Sequence, residues 1–292
     1  MISQRYETAE MSLTGDRKIN QDRCVAVEDA NSILVAVADG MGGHPRGETA
    51  AQIVIDTCSN YFRSTPKPIT QPGSFLTRLV KKAHEEIVAF GHGNKPPIDP
   101  RTTAIIALVQ DGKLYWAHAG DSRLYLFRNG QQVTRTVDHS YVERLRQQGV
   151  ISSRELDTHP QRNYVTRCLG GTTNLPEAEL GKHDVEPGDV ILLCSDGLWG
   201  SIDIGLMCDA LFGEMNLNEA TRALAEEAAQ KAFPDSDNVT LLTVRVGGTP
   251  EKSAAKPEKS DKPKNKKDEL GEAIANLQDA IESFESEIRE DK

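Results

Sequence analysis

The stretch from Ser32 to His44, SILVAVADGMGGH, limits the fold more than any other part of the chain. Six apolar residues, Ile33 to Ala38, run without a break and stop at Asp39, with Gly40, Gly42 and Gly43 behind it. A short β-rich apolar run bounded by glycines reads as a buried strand, which delivers Asp39 to the edge of a core. The glycines let the backbone turn and let a ligand approach the main chain, so the Gly40 carbonyl is available as well. An aspartate so placed can hold a hard cation. An Asp-Gly step after a strand is also an ordinary turn, and what favours a site is repetition. The same grammar returns at Val190 to Asp196-Gly197, at Trp116 to Asp121, and in reverse at Asp237-Asn238 before Val239 to Val246. Four such corners suggest strands converging on one acidic site.

At 292 residues with 38% hydrophobic content, the chain can bury a sizeable core in one large domain or two small ones. A net charge of -10 argues against binding to nucleic acid and favours cationic or metal-bridged partners. Cys24, Cys58, Cys168, Cys194 and Cys208 are odd in number and contain no C-x-x-C pair, which fits reduced thiols. The charged N-terminal residues lack a secretion signal, and no apolar run approaches the roughly 18 residues of a membrane span. The expectation is a soluble, cytoplasmic protein with no membrane segment.

Along the chain, strands are expected at Tyr6 to Leu13, Cys24 to Glu28 and Ser32 to Asp39, then helices from Gly47 to Phe62 and from Ser74 to Phe90. Two hairpins follow. Asp111-Gly112 joins Thr102–Val109 to Lys113–Ala119, and Asn129-Gly130 joins Ser122–Phe127 to Gln131–Thr134, pairs suited to tight primed turns. Residues 139–168 lose the strand pattern and read as a flap with a short helix near Tyr141 to Gln148. Further strands at Glu177–Val185, Asp189–Ser195 and Asn238–Val246 enclose helices at Asp203–Phe212 and Leu217–Ala232. The expected fold is α+β: a four-layer αββα sandwich of two antiparallel sheets flanked by helices.

Composition changes at Gly247. Residues 251–268 hold seven lysines and four acidic residues with almost nothing apolar, so 248–268 reads as a Lys/Pro-rich, disordered linker. Beyond it, Leu270, Ile274, Leu277, Ile281, Phe284 and Ile288 form a heptad seam, predicting an amphipathic helix over 269–292. That seam is suited to self-association or to a partner protein.

If Asp39, Asp121, Asp196 and Asp237 meet, each pair of carboxylates about 5 Å apart repels by roughly 3 kcal/mol at an effective dielectric near 20, which bound cations would relieve. Oxygen-only ligation selects Mg²⁺ or Mn²⁺ over zinc. Two such ions sharing an aspartate can activate a water for attack on phosphorus. Arg17 offers a planar fork for phosphate oxygens.

Taken together, Arg17-x-x-Asn20-Gln21-Asp22, Asp39-Gly40-Met41-Gly42-Gly43-His44, Thr102-Thr103-Ala104, Gly120-Asp121-Ser122-Arg123, Ser195-Asp196-Gly197 and Asp237-Asn238-Val239-Thr240 resemble the motifs of the metal-dependent protein serine/threonine phosphatases of type 2C, in their bacterial form. The likeness covers residues 1–246 and implies the two-sheet sandwich and the flap. It implies that Asp39 bridges two metals with help from the Gly40 carbonyl and that Asp196 and Asp237 complete one metal. It further implies that Gln21 and Asp22 act through metal-bound water, that Arg17 binds the substrate phosphate, and that Asp121 with Asp196 holds a third, weaker metal.

Two positions depart from the pattern. Met41 stands where many relatives carry His, leaving His44 and a metal-bound water as alternative general acids. Arg101 replaces the usual glycine before the Thr-Thr pair and reads as a loop variation. His118 reads as a packed strand residue, and His139 and His159 as structural residues at the flap border.

The resulting expectation is a catalytic domain over 1–247 that hydrolyses phosphoserine or phosphothreonine in phosphorylated protein substrates, using Mn²⁺ or Mg²⁺ and working opposite a cognate serine/threonine kinase. The rival is a catalytically silent phosphatase-fold scaffold acting through its C-terminal helix; retention of every metal aspartate speaks against it. A Gly-rich nucleotide-binding protein is a weaker rival, because the chain has no Walker lysine and has hairpins where a βαβ unit is needed.

Overall fold

The computed structural model describes residues 6–156, 158–171 and 176–247. In chain order the elements are β1 (Tyr6–Leu13), β2 (Asp22–Asp29), β3 (Ser32–Asp39), α1 (Gly47–Ser64), α2 (Pro72–Gly93), β4 (Arg101–Thr102), β5 (Ala104–Gln110), β6 (Lys113–Ala119), β7 (Arg123–Arg128) and β8 (Gln131–Arg135). They continue with α3 (Tyr141–Gln147), β9 (Leu169–Gly170), β10 (Glu179–Asp184), β11 (Val190–Cys194), α4 (Asp196–Trp199), α5 (Ile204–Phe212), α6 (Leu217–Ala232) and β12 (Val239–Val246). The proposed linker 248–268 and heptad helix 269–292 lie outside the described residues.

The strands form two five-stranded antiparallel sheets, β1-β12-β11-β7-β8 and β10-β6-β5-β3-β2. The unbroken apolar run of β3 follows from its burial on both faces. Ile33, Val35 and Val37 enter the layer between the sheets with Leu124, Leu126, Ile191, Leu193, Leu242 and Val244. Leu34, Ala36 and Ala38 point the other way, onto α1 and α2 through Ala50, Val54, Leu76 and Leu79. On the opposite outer face, α4, α5 and α6 cover Tyr125, Phe127, Leu192 and Leu241. Every strand position between two such layers must be apolar, so the alternation that marks a half-solvated strand disappears.

Local chemistry sets the connections. Asp111 and Gly112 take φ of 52° and 70°, and Asn129 and Gly130 take 51° and 75°, the paired positive values of a primed hairpin turn. Asn216 and Glu219 close a reciprocal capping box that starts α6. The flap is anchored at its base, where Tyr141 N donates to Tyr164 O, and Thr166 N and Oγ1 both donate to His139 O. Its far end returns to the core through the two-residue pairing of β4 with β9. Arg101 therefore lies in a strand and not in a loop variation: its guanidinium makes two bonds to Asp99 Oδ2, and its carbonyl accepts from Met41 N. Among the described residues, no helix is long and apolar enough to cross a membrane.

Candidate active site

The five aspartates emerge at one end of the sandwich because each sits where a strand begins or stops. Asp39 ends β3 and lies opposite Asp22, the first residue of β2, in the antiparallel register. Asp121 follows β6, Asp196 opens α4 just after β11, and Asp237 comes two residues before β12. Antiparallel neighbours place alternate termini together, so Asp39, Asp121, Asp196 and Asp237, from separate parts of the sequence, line one cavity, with Asp22 opposite Asp39 in the register.

The main chain at Asp39 is clamped. Its carbonyl accepts from Thr103 N and Thr102 Oγ1, each at 2.8 Å, and its N–H donates to Thr103 Oγ1 at 3.0 Å. This is the work of the Thr-Thr pair, and Thr103 Oγ1 is itself held by Ser122 Oγ at 2.7 Å. A Cβ on Gly40 would stand 2.4 Å from the Gly47 carbonyl group, so only glycine lets the turn lie against the start of α1. The other wall is stapled by Asn238. Its Oδ1 accepts from Gln21 N, and its Nδ2 donates to the carbonyls of Thr14 and Ile19. Asn20 Oδ1 in turn accepts from Asp22 N.

The electrostatics are those of a crowded, buried acidic cluster with Arg17 at its edge. Burial, followed by repulsion from Asp22, Asp196, Asp121 and Asp237, holds the Asp39 carboxyl well above the ordinary carboxylate range. The Asp22 and Asp196 carboxyls each come within hydrogen-bonding reach of Asp39. Burial is also the main cause of the upward shifts at Asp22, Asp121 and Asp196. Asp22 is 2% exposed; its Oδ2 accepts from Ser195 Oγ at 2.7 Å, while its Oδ1 has no partner. A buried carboxylate oxygen without a donor is costly unless something cationic meets it. An all-oxygen donor set with a bare buried oxygen fits hard divalent cations.

The cavity has a volume of about 510 Å³ and is lined by Arg17, Lys18, Gln21, Asp39, Gly40 to Gly43, Thr103, Asp121, Asp196, Asp237 and Asn238, with Asn163 and Val165 contributed by the flap. Arg17 Nη2 donates to Asp237 Oδ2 at 2.8 Å. His44 occupies the turn between β3 and α1, next to Gly43 but outside this lining. A second cleft of about 470 Å³ shares Arg17, Asp121, Asn163, Asp196 and Asp237 with the first and runs under the flap past Trp199.

Further contributors, among them Trp199, reach the site only through tertiary contact. Trp199 Nε1 donates to Asp121 O at 2.9 Å, and the Arg123 guanidinium lies 3.6 Å over the Trp199 ring while bonding both oxygens of Asp138. His139 bonds Gly120 twice, N to O and Gly120 N to Nδ1, which fixes the residue before Asp121. His118 stacks parallel to His139 at 4.4 Å with 6° between the rings. The ligand atoms of His118, His139 and Glu179 lie within 4.8 Å of one another. Ring planes that parallel cannot both aim a lone pair at one ion, and His139 Nε2 already faces Glu179 and Arg167. The cluster is a structural tie, as the sequence suggests for both histidines.

A protein phosphatase 2C family profile matches residues 13–236. The serine/threonine phosphatase stp of Listeria innocua is 30% identical over 213 residues, covering 72% of this chain and 83% of that protein. The crystal structure of the serine/threonine phosphatase Stp1 from Staphylococcus aureus superposes with a TM-score of 0.77 at 29% identity, covering 84% of this chain and 96% of that one. The catalytic domain of the serine/threonine protein phosphatase PstP, solved with two manganese ions, gives a TM-score of 0.70 at 30% identity over 83% of this chain and 99% of that one. On the family match over residues 13–236 and these relatives, the chain belongs to the protein phosphatase 2C family and is a serine/threonine phosphatase.

Proposed function

We propose that this chain dephosphorylates phosphoserine and phosphothreonine in proteins, with two divalent cations, Mn²⁺ or Mg²⁺, held around Asp39. The observation that carries the reading is Asp39 itself, a strand-end carboxyl within reach of both Asp22 and Asp196 beside the unpartnered Asp22 Oδ1. Asp39 and the Gly40 carbonyl would serve both ions, Asp196 and Asp237 would complete one, and Asp22 and Gln21 would act through ordered water. Asp121 with Asp196 suits a third, weaker ion. When bound, the cations supply Lewis-acid chemistry: they acidify an attacking water and neutralise the charge of the phosphoryl group.

The chain's own residues bind and orient. Arg17 exchanges its bond to Asp237 for phosphate oxygens, which keeps the phosphorus in line with the acidic centre. The Thr102–Thr103 clamp and the Asn238 staple keep Asp39 and the 14–21 loop from moving as charge is redistributed. The silent-scaffold alternative gains nothing from the structure, since all five aspartates converge. Cytoplasmic action opposite a serine/threonine kinase, and a recruiting role for 269–292, belong to the same proposal.

Hydrolysis of a phosphothreonine peptide with and without Mn²⁺, before and after a chelator, tests it. Turnover that ignores the chelator would overturn the metal-dependent reading.

A further inference from the structure

Gln21 and Asp22 face the acidic centre from the turn Asn20-Gln21-Asp22, yet Asn20 and Gln21 precede β2 and belong to no strand. Main-chain groups outside a ladder need partners of their own. Gln21 N donates to Asn238 Oδ1, Gln21 O accepts from Gly40 N at 3.2 Å, and Asp22 N donates to Asn20 Oδ1. Two carbonyls of the same turn, Asn20 O and Asp22 O, accept from a single nitrogen, Arg23 Nη1, at 2.9 and 2.6 Å. Arg23 lines neither cavity.

The guanidinium is itself anchored. Its Nε donates to Gln52 Oε1 at 3.0 Å, and Gln52 Nε2 donates to Asp56 Oδ1 at 3.0 Å. Gln52 and Asp56 stand one turn apart on α1, so both ends of the Gln52 amide are engaged and its oxygen is kept facing Arg23. The same helix backs the other half of the centre. Its first residue, Gly47, packs against Gly40, and a Cβ on Gly47 would stand 2.7 Å from Gln21 Nε2. One helix thus supports both the Asp39–Gly40 turn and the 20–22 turn, the second through Arg23. Bonds from two nitrogens of one plane call for a guanidinium; an ammonium brings the charge without the fork.

We propose that Arg23, anchored by Gln52, is a positioning residue for the metal centre. It sets where Gln21 and Asp22 stand relative to Asp39, and so tunes cation affinity, while touching neither cation nor substrate. The inference rests on the metal-dependent phosphatase reading and adds a support on the far side of the turn. The register makes the effect direct, because Arg23 follows Asp22 in β2 and Asp22 lies opposite Asp39. A shift of the Asn20 and Asp22 carbonyls therefore moves the bare Asp22 Oδ1 away from the place where Asp39 and Asp22 meet. Groups that orient ligands in this way typically contribute about tenfold to a hundredfold to metal affinity.

Two measurements on the full-length protein test this apart from turnover. In the metal-free state, residue-resolved amide exchange at Gln21, Asp22 and Gly40 should run about tenfold faster in Arg23→Met than in the wild type, beyond any change at the core amides of Leu126 and Val244. Calorimetric titration should show Mn²⁺ binding weakened by about tenfold or more. At saturating Mn²⁺, kcat for p-nitrophenyl phosphate should fall more than KM rises, because Arg17 still holds the phosphate. Gln52→Leu, at a half-buried helix position that leaves the turn itself unaltered, should weaken Mn²⁺ binding by about threefold. Arg23→Lys should resemble Arg23→Met. Full recovery with lysine would reduce Arg23 to a charge and overturn the proposal. So would an unchanged Arg23→Met isotherm, whatever happens to Tm, since a mere fold contact lowers Tm without moving the metal site. Failure of the wild type to bind Mn²⁺ would overturn the phosphatase reading and this role together, whereas normal wild-type binding with no difference in Arg23→Met overturns this role alone.

Discussion

Arg17 Nη2 rests 2.8 Å from Asp237 Oδ2, so the cation suited to phosphate is docked on a carboxylate of the acidic centre. The bond to Asp237 raises the Arg17 pKa further above its ordinary value. Because both side chains are open to solvent, the pair contributes little to folding, and exchange for phosphate is easy. Arg17→Ala is therefore expected to raise KM for a phosphothreonine peptide by about tenfold to a hundredfold, the loss of one or two charge-assisted hydrogen bonds. Steady-state kinetics at saturating Mn²⁺ should show kcat falling less than KM rises. A pure kcat effect would place Arg17 in the chemical step.

The raised carboxyls predict an inverted pH dependence for the metal-free protein. Asp22, Asp39, Asp121 and Asp196 are all shifted upward in the folded state, chiefly by burial. At these four carboxyls the folded state holds more protons than the unfolded one, so their contribution to stability is full below the ordinary carboxylate pKa near 4 and is lost as pH rises through the folded values. A chelated sample should lose Tm as pH climbs from about 5 toward neutrality. Mn²⁺, which binds the ionised forms, should remove that loss and raise Tm. Coincident melting curves with and without Mn²⁺ at neutral pH would count against the acidic centre as a metal site.

Asp39→Asn separates stability from activity. It removes an ionisation that the unfolded chain gains but that burial and four other carboxyls oppose in the fold, while its backbone clamp to Thr102 and Thr103 stays in place. The metal-free variant should melt a few degrees higher than the wild type at neutral pH, because relief of about 1 kcal/mol in a domain of this size is worth roughly 2–4 °C. Turnover should vanish at every Mn²⁺ concentration. Recovery of activity in excess Mn²⁺ would show that Asp39 is not shared between ions.

His44 can be placed by leaving-group chemistry. It lies just beyond the cavity lining, so His44→Ala is expected to slow phosphothreonine peptides and p-nitrophenyl phosphate alike, by less than about tenfold. A loss confined to the peptide, whose alkoxide leaving group needs a proton, would assign the general acid to His44.

The parts of this site that were legible in the sequence are those dictated by local rules. The apolar run into Asp39 shows because β3 is covered on both faces, and the hairpins show because Asp111-Gly112 and Asn129-Gly130 supply positive φ. The acidic set itself came from repeated strand ends and from family motifs. What stayed hidden depends on tertiary contact. A helix of four residues such as α4 has no periodicity to read, and the two-residue pairing of Arg101–Thr102 with Leu169–Gly170 joins segments 68 positions apart. The tie from Trp199 to the Asp121 carbonyl and the seating of Asn163 over the cavity exist only once the flap and α4 have packed.

That Trp199 tie makes a further prediction. Trp199→Phe keeps most of the ring beneath Arg123 but removes the donor to Asp121 O. Stability should drop by about 1 kcal/mol, one buried neutral hydrogen bond. The Mn²⁺ concentration for half-maximal turnover should rise severalfold, because Asp121 is no longer held. Calorimetric titration of Mn²⁺ checks the second effect directly, and an unchanged isotherm would reduce Trp199 to a packing residue.

The C-terminal segment makes the last prediction. Strand β12 begins two residues after Asp237 and ends at Val246, so the described chain leaves the sandwich about 25 Å from the acidic centre, the length of an eight-residue strand. Beyond it come seven lysines and four acidic residues over 251–268, then 269–292 with eight acidic and two basic side chains and a six-residue apolar seam. A helix of about three heptads is marginal alone, and a strict two-position seam is narrower than the stripe of a helix lying on a globular surface. Burial against a second copy or another protein meets both conditions. Deleting residues 250–292 is therefore expected to leave turnover of p-nitrophenyl phosphate within about twofold, because the exit lies an entire strand away from the chemistry. The deletion should also lower the oligomeric mass or abolish capture of a protein partner. Light scattering of the full-length and shortened proteins, with a pull-down through 248–292, makes the comparison. An unchanged mass, no captured partner and a loss of basal turnover would together show that the segment belongs to the catalytic domain.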